Sequence, residues 1–155
     1  MSTSKKLCLV SSSGGHWEEL LCLSDLTAEY DSVLITERGE QFFGKEMPNT
    51  YYVSQINRKE KGFLLHFIKL FAKAFKILKK ERPDVVITTG ALVAFPFCVL
   101  AKLSRKKVIY IESFARVKEK SLTGKLVYPF ADLFIVQWES MLKCYPKAKY
   151  TGAIF

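Results

Sequence analysis

The sequence predicts an α/β fold, a Rossmann-like parallel sheet with helices on both faces. Three observations lead there. Short runs rich in Val, Ile and Leu recur along the chain, which is the composition of strands covered on both sides. Longer segments with helical patterning alternate with these runs, as the crossovers of a parallel sheet require. Small or polar residues follow several of the strands, where such sheets open onto a ligand crevice.

In chain order, the first strand is expected at Lys6 to Ser11, and it runs through Ser12 to His16 into a helix from His16 to Tyr30. Strands at Ser32 to Thr36 and Tyr51 to Ser54 carry β-branched and aromatic residues. A helix from Phe63 to Glu81 repeats Phe, Leu and Lys at helical spacing, and Asp84 to Thr88 forms the next strand. A helix is expected at Ala91 to Leu103. Its longest apolar stretch, Ala91 to Ala101, is interrupted by Pro96 and falls short of the roughly 20 residues that a membrane span needs. Lys107 to Ile111 and Leu133 to Val136 complete the strands, with helices from Leu122 to Phe130 and from Glu139 to Tyr145. No repeat, low-complexity tract or linker divides the chain, so residues 1–155 are read as a single domain.

With 155 residues, 49% of them hydrophobic, the chain can bury a real core. A formal net charge of +9 and a pI near 9.4 point to an anionic partner: nucleic acid, an anionic membrane surface or a phosphorylated ligand. The aromatics follow core and helix periodicity, and no RNP-like strand, zinc finger or recognition-helix motif is present, so nucleic acid is not expected as a partner and a basic nucleic-acid-binding domain is the remotest reading. Cys8, Cys22, Cys98 and Cys144 form no Cys-x-x-Cys pair and lie among apolar neighbours, which points to packing in a reducing cytoplasm. The N-terminal apolar run is too short for a signal peptide. No Asp-x-Asp occurs that would hold Mg²⁺ or Mn²⁺ on a nucleotide, and neither metal nor cofactor is expected.

Three loops invite attention. Ser12-Ser13-Gly14-Gly15-His16 lacks both the G-x-G-x-x-G spacing and a P-loop lysine. It is either an anion site at a helix start, where glycine lets the backbone approach a ligand, or a tight turn capped by Ser13. His16 either meets a ligand phosphate, serves as a base, or is an exposed first-turn histidine. Thr89 to Ala91 follows the fourth strand. Glu112 to Arg116 brings out an acid, a hydroxyl and an arginine ahead of Lys118, Lys120, Ser121 and Thr123; these either clamp a sugar or phosphate, or form a surface Glu112–Arg116 pair.

The segment FLLHFIKLFAKAFKILKK, Phe63 to Lys80, reads as a crossover helix with one side on the sheet. Its remaining Phe63, Phe67, Phe71 and Phe75 are expected to face lipid, with Lys69, Lys73, Lys76 and Lys80 at anionic headgroups.

The segments VSSSGGHWEEL, INRKEKGF, PDVVITTGALVAFPFCVLAKL, VIYIESFARVKEKSLTGKLVYPFADLFIVQWE and YTGAIF, in that order, resemble bacterial capsular and exopolysaccharide biosynthesis proteins of the CpsF type. These are related to the membrane-recruiting subunit of the eukaryotic UDP-GlcNAc transferase of the dolichol pathway. The resemblance implies the N-terminal, acceptor-side half of a split GT-B glycosyltransferase, similar to that half of MurG. It implies a separate catalytic, donor-binding subunit as partner, a polyprenyl-diphosphate-linked sugar as ligand, and a peripheral place on the cytoplasmic face of the membrane. By the same resemblance Ser12, Ser13, Gly14, Gly15 and His16 cradle the acceptor diphosphate. Glu112, Ser113 and Arg116 line the same cleft and contact the acceptor sugar or the partner's nucleotide, Glu19, Thr89 and Gly90 are expected at that cleft as well, and Gly152, Ala153, Ile154 and Phe155 contact the partner. Eukaryotic relatives usually carry an N-terminal anchor; with the chain starting almost at its first strand, attachment is expected from the basic helix or the partner.

Overall fold

Residues 5–38 and 48–154 are described in a computed structural model of the chain. Its elements are β1 (Leu7–Ser11), α1 (Gly15–Leu21), α2 (Ser24–Glu29), β2 (Ser32–Arg38), β3 (Thr50–Ser54), α3 (Phe63–Glu81), β4 (Val85–Thr88), α4 (Ala94–Leu103), β5 (Lys107–Ile111), α5 (Leu122–Val127), β6 (Leu133–Val136), a 3₁₀ turn over Glu139–Lys143, and β7 (Lys149–Tyr150). The sheet order is β3-β2-β1-β4-β5-β6-β7 and every pairing is parallel. The chain winds outward from β1 in one direction and then returns to build from β4 in the other. The order therefore reverses between β1 and β4, which opens a crevice at their carboxyl ends.

Alternation along the strands divides the core in two. Cys8, Val10, Val33, Ile35, Val86, Val108 and Tyr110 face the helices α3, α4 and α5, whereas Leu7, Leu9, Leu34, Ile87 and Ile111 face Trp17 and Leu20 of α1. Burial on both faces accounts for the nearly unbroken apolar composition of β1 and β2. Cys8 and Cys98 are buried as packing residues, but Cys22 is exposed.

Several elements differ from the expected ones. The helix expected from His16 to Tyr30 breaks at Cys22 and Leu23, and the break lets Leu21, Leu23 and Leu26 all settle on the same sheet face. Helix α4 starts at Ala94 because Ala91 sits at a positive φ of 69° and turns the chain out of β4 first. The expected last helix is a 3₁₀ turn. The two-residue edge strand β7 was too short to show a strand pattern.

Helix α3 corrects the expected lipid face. Leu70, Ala74 and Ile77 are buried, and Phe63, Phe67 and Phe71 are half-buried. Phe67 and Phe71 each lie 6.4 Å from Phe95 of α4, so these rings join two helices instead of pointing outward. The exposed apolar residues are Leu64, Leu65, Ile68 and, of the expected rings, Phe75 alone. Lys69, Lys73, Lys76 and Lys80 are exposed beside them. Two of these also fasten α3 to β3: Lys73 Nζ donates to the Tyr52 carbonyl at 2.6 Å, and Lys80 Nζ to the Tyr51 hydroxyl at 2.8 Å. At the helix end Glu81 accepts from Lys6 Nζ at 2.7 Å and from Tyr51, and these partners hold its carboxyl below the usual range. Among the described residues no helix is long and apolar enough to cross a membrane.

Candidate functional site

A cleft of about 680 Å³ opens over the carboxyl ends of the strands. The loop after β1 supplies Ser12 and His16, the end of β2 supplies Glu37, and the loop after β3 supplies Asn57, Arg58 and Lys59. The loop after β4 brings Ala91 and Leu92, and the loop after β5 brings Ser113 and Arg116, with Ser121 and Thr123 closing the far side.

His16 is clamped from two directions. Its Nδ1 lies 2.9 Å from the Thr89 carbonyl oxygen, which can only accept, so Nδ1 carries the hydrogen and Nε2 is the nitrogen left for a ligand. Thr89 Oγ1 donates in return to the His16 carbonyl at 2.7 Å. Gly90 follows at a φ of 112°, and a Cβ there would stand 3.1 Å from the Tyr110 hydroxyl and 3.2 Å from His16 Cε1. Glycine is what lets the loop after β4 pass so close behind the ring. Thr89 and Gly90, expected to line the cleft, are buried behind His16 and position it.

The expected Ser13 cap is absent. Gly14 occupies the N-cap without a side-chain bond, its carbonyl accepting from the amides of Trp17 and Glu18 at 2.9 and 3.1 Å. Gly14 and Gly15 are exposed, with no heavy atom within 4 Å of where a Cβ would sit on either.

The loop after β5 rests on two buried carboxylates, which overturns both the surface Glu112–Arg116 pair and the expectation that Glu112 and Glu19 face the cleft. Glu112, 1% exposed, accepts from the Ser113 amide, from the amide and hydroxyl of Ser121, and from the Tyr145 hydroxyl at 2.7 Å. Burial and the bond to Glu112 push the Tyr145 hydroxyl far above its ordinary range. Glu19 accepts from Ser113 Oγ at 2.8 Å, the Phe114 amide, and Gln137 Nε2 at 3.0 Å. Both acids are saturated by donors that belong to the loop or its neighbours, so they set its shape. Ser113 and Arg116 are the members of the ESFAR motif that reach the cleft.

Sequence reasoning missed Asn57, Arg58, Lys59 and Glu37. INRKEKGF directly follows a strand, so the rule that singled out three other loops applied to it equally. Among the described residues Arg58, Lys59 and Arg116 enter no ion pair. A cleft lined by three cations that enter no ion pair among the described residues, and by a clamped histidine, suits an anion of two or more charges. Glu37 is buried on the cleft wall, and burial pushes its carboxyl up to about 7, opposed only by a 3.4 Å hydrogen bond from the Ile56 amide. Among the described residues no group of three His, Cys, Asp or Glu side chains gathers as a metal site.

Beyond β7, the Ile154 amide donates to Gln137 Oε1 at 3.0 Å and its side chain packs under the α1 face. Gln137 thus links the C-terminal segment to Glu19 and to the Glu112 carbonyl. Gly152 and Ala153 precede this contact outside any strand. Phe155, also expected at a partner contact, lies outside the described residues.

Comparison with known proteins supplies relatives. The family described as "Oligosaccharide biosynthesis protein Alg14 like" matches residues 47–154. The UDP-N-acetylglucosamine transferase subunit ALG14 of Homo sapiens is 31% identical, covering 97% of this chain and 83% of that protein. The subunit of the same name from Yarrowia lipolytica is 38% identical over 90 residues, 54% of this chain and 42% of that protein. Among solved structures, MurG of Acinetobacter baumannii superposes with a TM-score of 0.71 at 16% identity, over 96% of this chain and 45% of that one. The match thus spans less than half of the Yarrowia protein and of the solved MurG chain. The fold is that of the parallel-sheet half of such proteins. The two ALG14 relatives come from eukaryotes, and neither their names nor the family description carries the capsular assignment that the sequence resemblance suggested.

Proposed function

The chain belongs to the Alg14-like family of oligosaccharide biosynthesis proteins, and on that premise we propose that it is the accessory, acceptor-side subunit of a two-component UDP-sugar transferase. It binds a polyprenyl-diphosphate-linked sugar and brings the catalytic, donor-binding subunit to it at the membrane. The observation that carries this reading is the cleft at the reversal of the sheet, which Arg58, Lys59 and Arg116, without ion-pair partners among the described residues, line together with His16. A diphosphate satisfies those cations, and Ser12, Ser13, Gly14 and Gly15 offer a turn open enough for it to approach. Ser113 then meets the acceptor sugar.

Membrane attachment is assigned to α3. Leu64, Leu65, Ile68 and Phe75 enter the interface while Lys69 and Lys76 meet anionic headgroups. The C-terminal segment around Gly152 to Ile154 is assigned to the partner, and the protein to the cytoplasmic face of the membrane. The names of the relatives favour N-acetylglucosamine as the sugar transferred, whereas the CpsF resemblance favours a hexose added in capsule or exopolysaccharide repeat-unit synthesis.

In a second reading the chain also contributes catalytic groups to a composite active site, with His16 the first of them. The clamp on Nδ1 supports it, because a general base must be held in one tautomer. Transfer from a panel of UDP-sugars to polyprenyl-diphosphate-linked glucose and N-acetylglucosamine tests the proposal, using this chain alone, the donor-binding subunit alone, and both. Activity confined to the mixture supports it, and full activity of this chain alone overturns it. His16→Ala separates the two readings: a recruiter tolerates it, and a composite site loses turnover while the subunits still assemble.

A further inference from the structure

Glu37 occupies a position that neither the fold nor the diphosphate reading accounts for. It ends β2 on the side of the sheet facing α3, in register with Val53, and it is 6% exposed while lining the cleft. A buried carboxyl normally collects several donors, as Glu19 and Glu112 do here. Glu37 has one, the Ile56 amide at 3.4 Å on Oε1, a bond near the long limit of the range. Its Oε2 has no hydrogen-bond partner among the described residues, and no cation pairs with it. Arg38 next to it turns away to lie 5.1 Å over the Tyr52 ring. The charged and titratable groups facing the same cleft are His16, Arg58, Lys59 and Arg116.

We propose that Glu37 is the proton acceptor of the transfer reaction, its Oε2 taking the proton from the acceptor-sugar hydroxyl. The assignment rests on the acceptor-cleft reading and on its composite-site form, with Glu37 in place of His16 as the base. The hydroxyl oxygen bonds to the anomeric carbon of the donor sugar, and the bond from that carbon to the UDP diphosphate oxygen breaks. UDP leaves with the electron pair, and the hydroxyl proton passes to Glu37, which becomes a neutral carboxyl and later returns the proton to water. Burial without a paired cation brings the carboxyl near neutrality, where a base holds the proton strongly enough to draw it off and is still ionised at working pH. The Arg58, Lys59 and Arg116 cations then serve the acceptor diphosphate, and Glu37 serves the sugar.

The test is steady-state transfer by the assembled pair over pH 5.5 to 9, with the wild-type chain, Glu37→Gln and Glu37→Asp, each checked for circular dichroism and for co-purification with the partner. Glu37→Gln preserves size and hydrogen-bonding capacity but cannot accept the proton. Its kcat is expected to fall by about 100-fold or more, the scale of a lost general base, with acceptor KM within threefold. The rise of kcat/KM through about pH 7 is expected to disappear with it, and Glu37→Asp should keep that rise at a reduced rate. An active pair whose Glu37→Gln variant keeps both rate and pH profile overturns this assignment and leaves the acceptor cleft standing. A wild-type pair that transfers sugar to no polyprenyl-diphosphate acceptor overturns the cleft reading and this assignment together.

Discussion

Glu112 and Tyr145 are joined by a 2.7 Å hydrogen bond beneath the loop after β5, 33 positions apart in sequence and both buried. Gly124 of the SLTGK motif packs against this pair so closely that a Cβ would come within about 3 Å of Glu112 Oε2, Tyr145 Oη and Ser121 Oγ together. Tyr145→Phe keeps the ring and strips the carboxylate of one donor. It is expected to cost about 1.5–3 kcal/mol, the scale of a hydrogen bond to a buried charge, read as a shift in the urea midpoint. Gly124→Ala should cost at least as much and displace Ser113 and Arg116, lowering transfer. A neutral Gly124→Ala would show that the loop is not anchored in this way.

Glu37 should leave a signature in stability as well as in turnover. Its folded carboxyl titrates at about 7 against an ordinary 4.5 because burial disfavours the charged form. The folded state thus holds the proton more tightly than the unfolded chain does. The stability tied to that proton is fully present below about pH 4.5 and is lost as pH rises through about 7. Glu37→Gln stays neutral throughout, so the variant should gain on wild type across this window by up to about 3 kcal/mol. Equal pH slopes for the two proteins would mean that Glu37 is not buried as described.

What the sequence disclosed follows from what kind of signal each feature leaves. Parallel strands buried on both faces write themselves as apolar runs, and six of the seven strands among the described residues were legible for that reason. Residues 149–150 make an edge strand too short for any period. His16, Ser113 and Arg116 were expected at the cleft because loops at strand ends open onto it, and they line it. Glu19 and Glu112 were found as acids but assigned the wrong side of the wall, since polarity does not reveal whether a carboxylate is saturated by neighbouring amides and hydroxyls. Glu37 lies one residue past the expected end of its strand at Thr36, and a charged residue there carries no sign that it is buried. The phenylalanines of α3 were misread because their partner, Phe95, lies on another helix.

That misreading defines a membrane test with an internal control. Leu65→Ser, Ile68→Ser and Phe75→Ser combined remove exposed apolar surface and should leave folding within about 1 kcal/mol, while binding to vesicles containing anionic lipid falls at least tenfold. Phe67→Ser instead removes a ring packed on Phe95 and should cost about 2 kcal/mol of stability. Wild-type binding should weaken with added salt, as lysine contacts to headgroups require. Vesicle binding unchanged in the triple variant would take α3 out of the interface.

The C-terminal segment is held to the fold chiefly through Ile154, by its amide on Gln137 and its side chain under α1. Deleting residues 152–155 leaves Gln137 still bound to Glu19 and to the Glu112 carbonyl. The truncated chain should therefore unfold within a few degrees of the full one, about 1 kcal/mol of stability. Its affinity for the donor-binding subunit, measured by calorimetric titration, should drop at least tenfold. Retained affinity would move the partner surface elsewhere.

Gly15 precedes His16 in the chain and Gly90 packs against its ring, and the two should respond in opposite ways to a larger side chain. Gly15 is exposed, and nothing lies within 4 Å of a Cβ built there. Gly15→Leu is therefore expected to fold normally, with a Tm within about 2 °C of wild type. Its side chain would nevertheless project into the turn proposed to receive the diphosphate, so transfer by the assembled pair should be abolished. Gly90 has a φ of 112° and a Cβ position 3.2 Å from His16 Cε1. Gly90→Ala must strain the backbone or push the ring off the Thr89 carbonyl, costing about 1–3 kcal/mol and disturbing activity through His16. Thermal melts and transfer rates for the two variants separate a ligand-occupied space from a packed one. A folded Gly15→Leu chain that supports full transfer would mean that the diphosphate lies elsewhere in the cleft, on Arg58, Lys59 and Arg116 without the turn after β1.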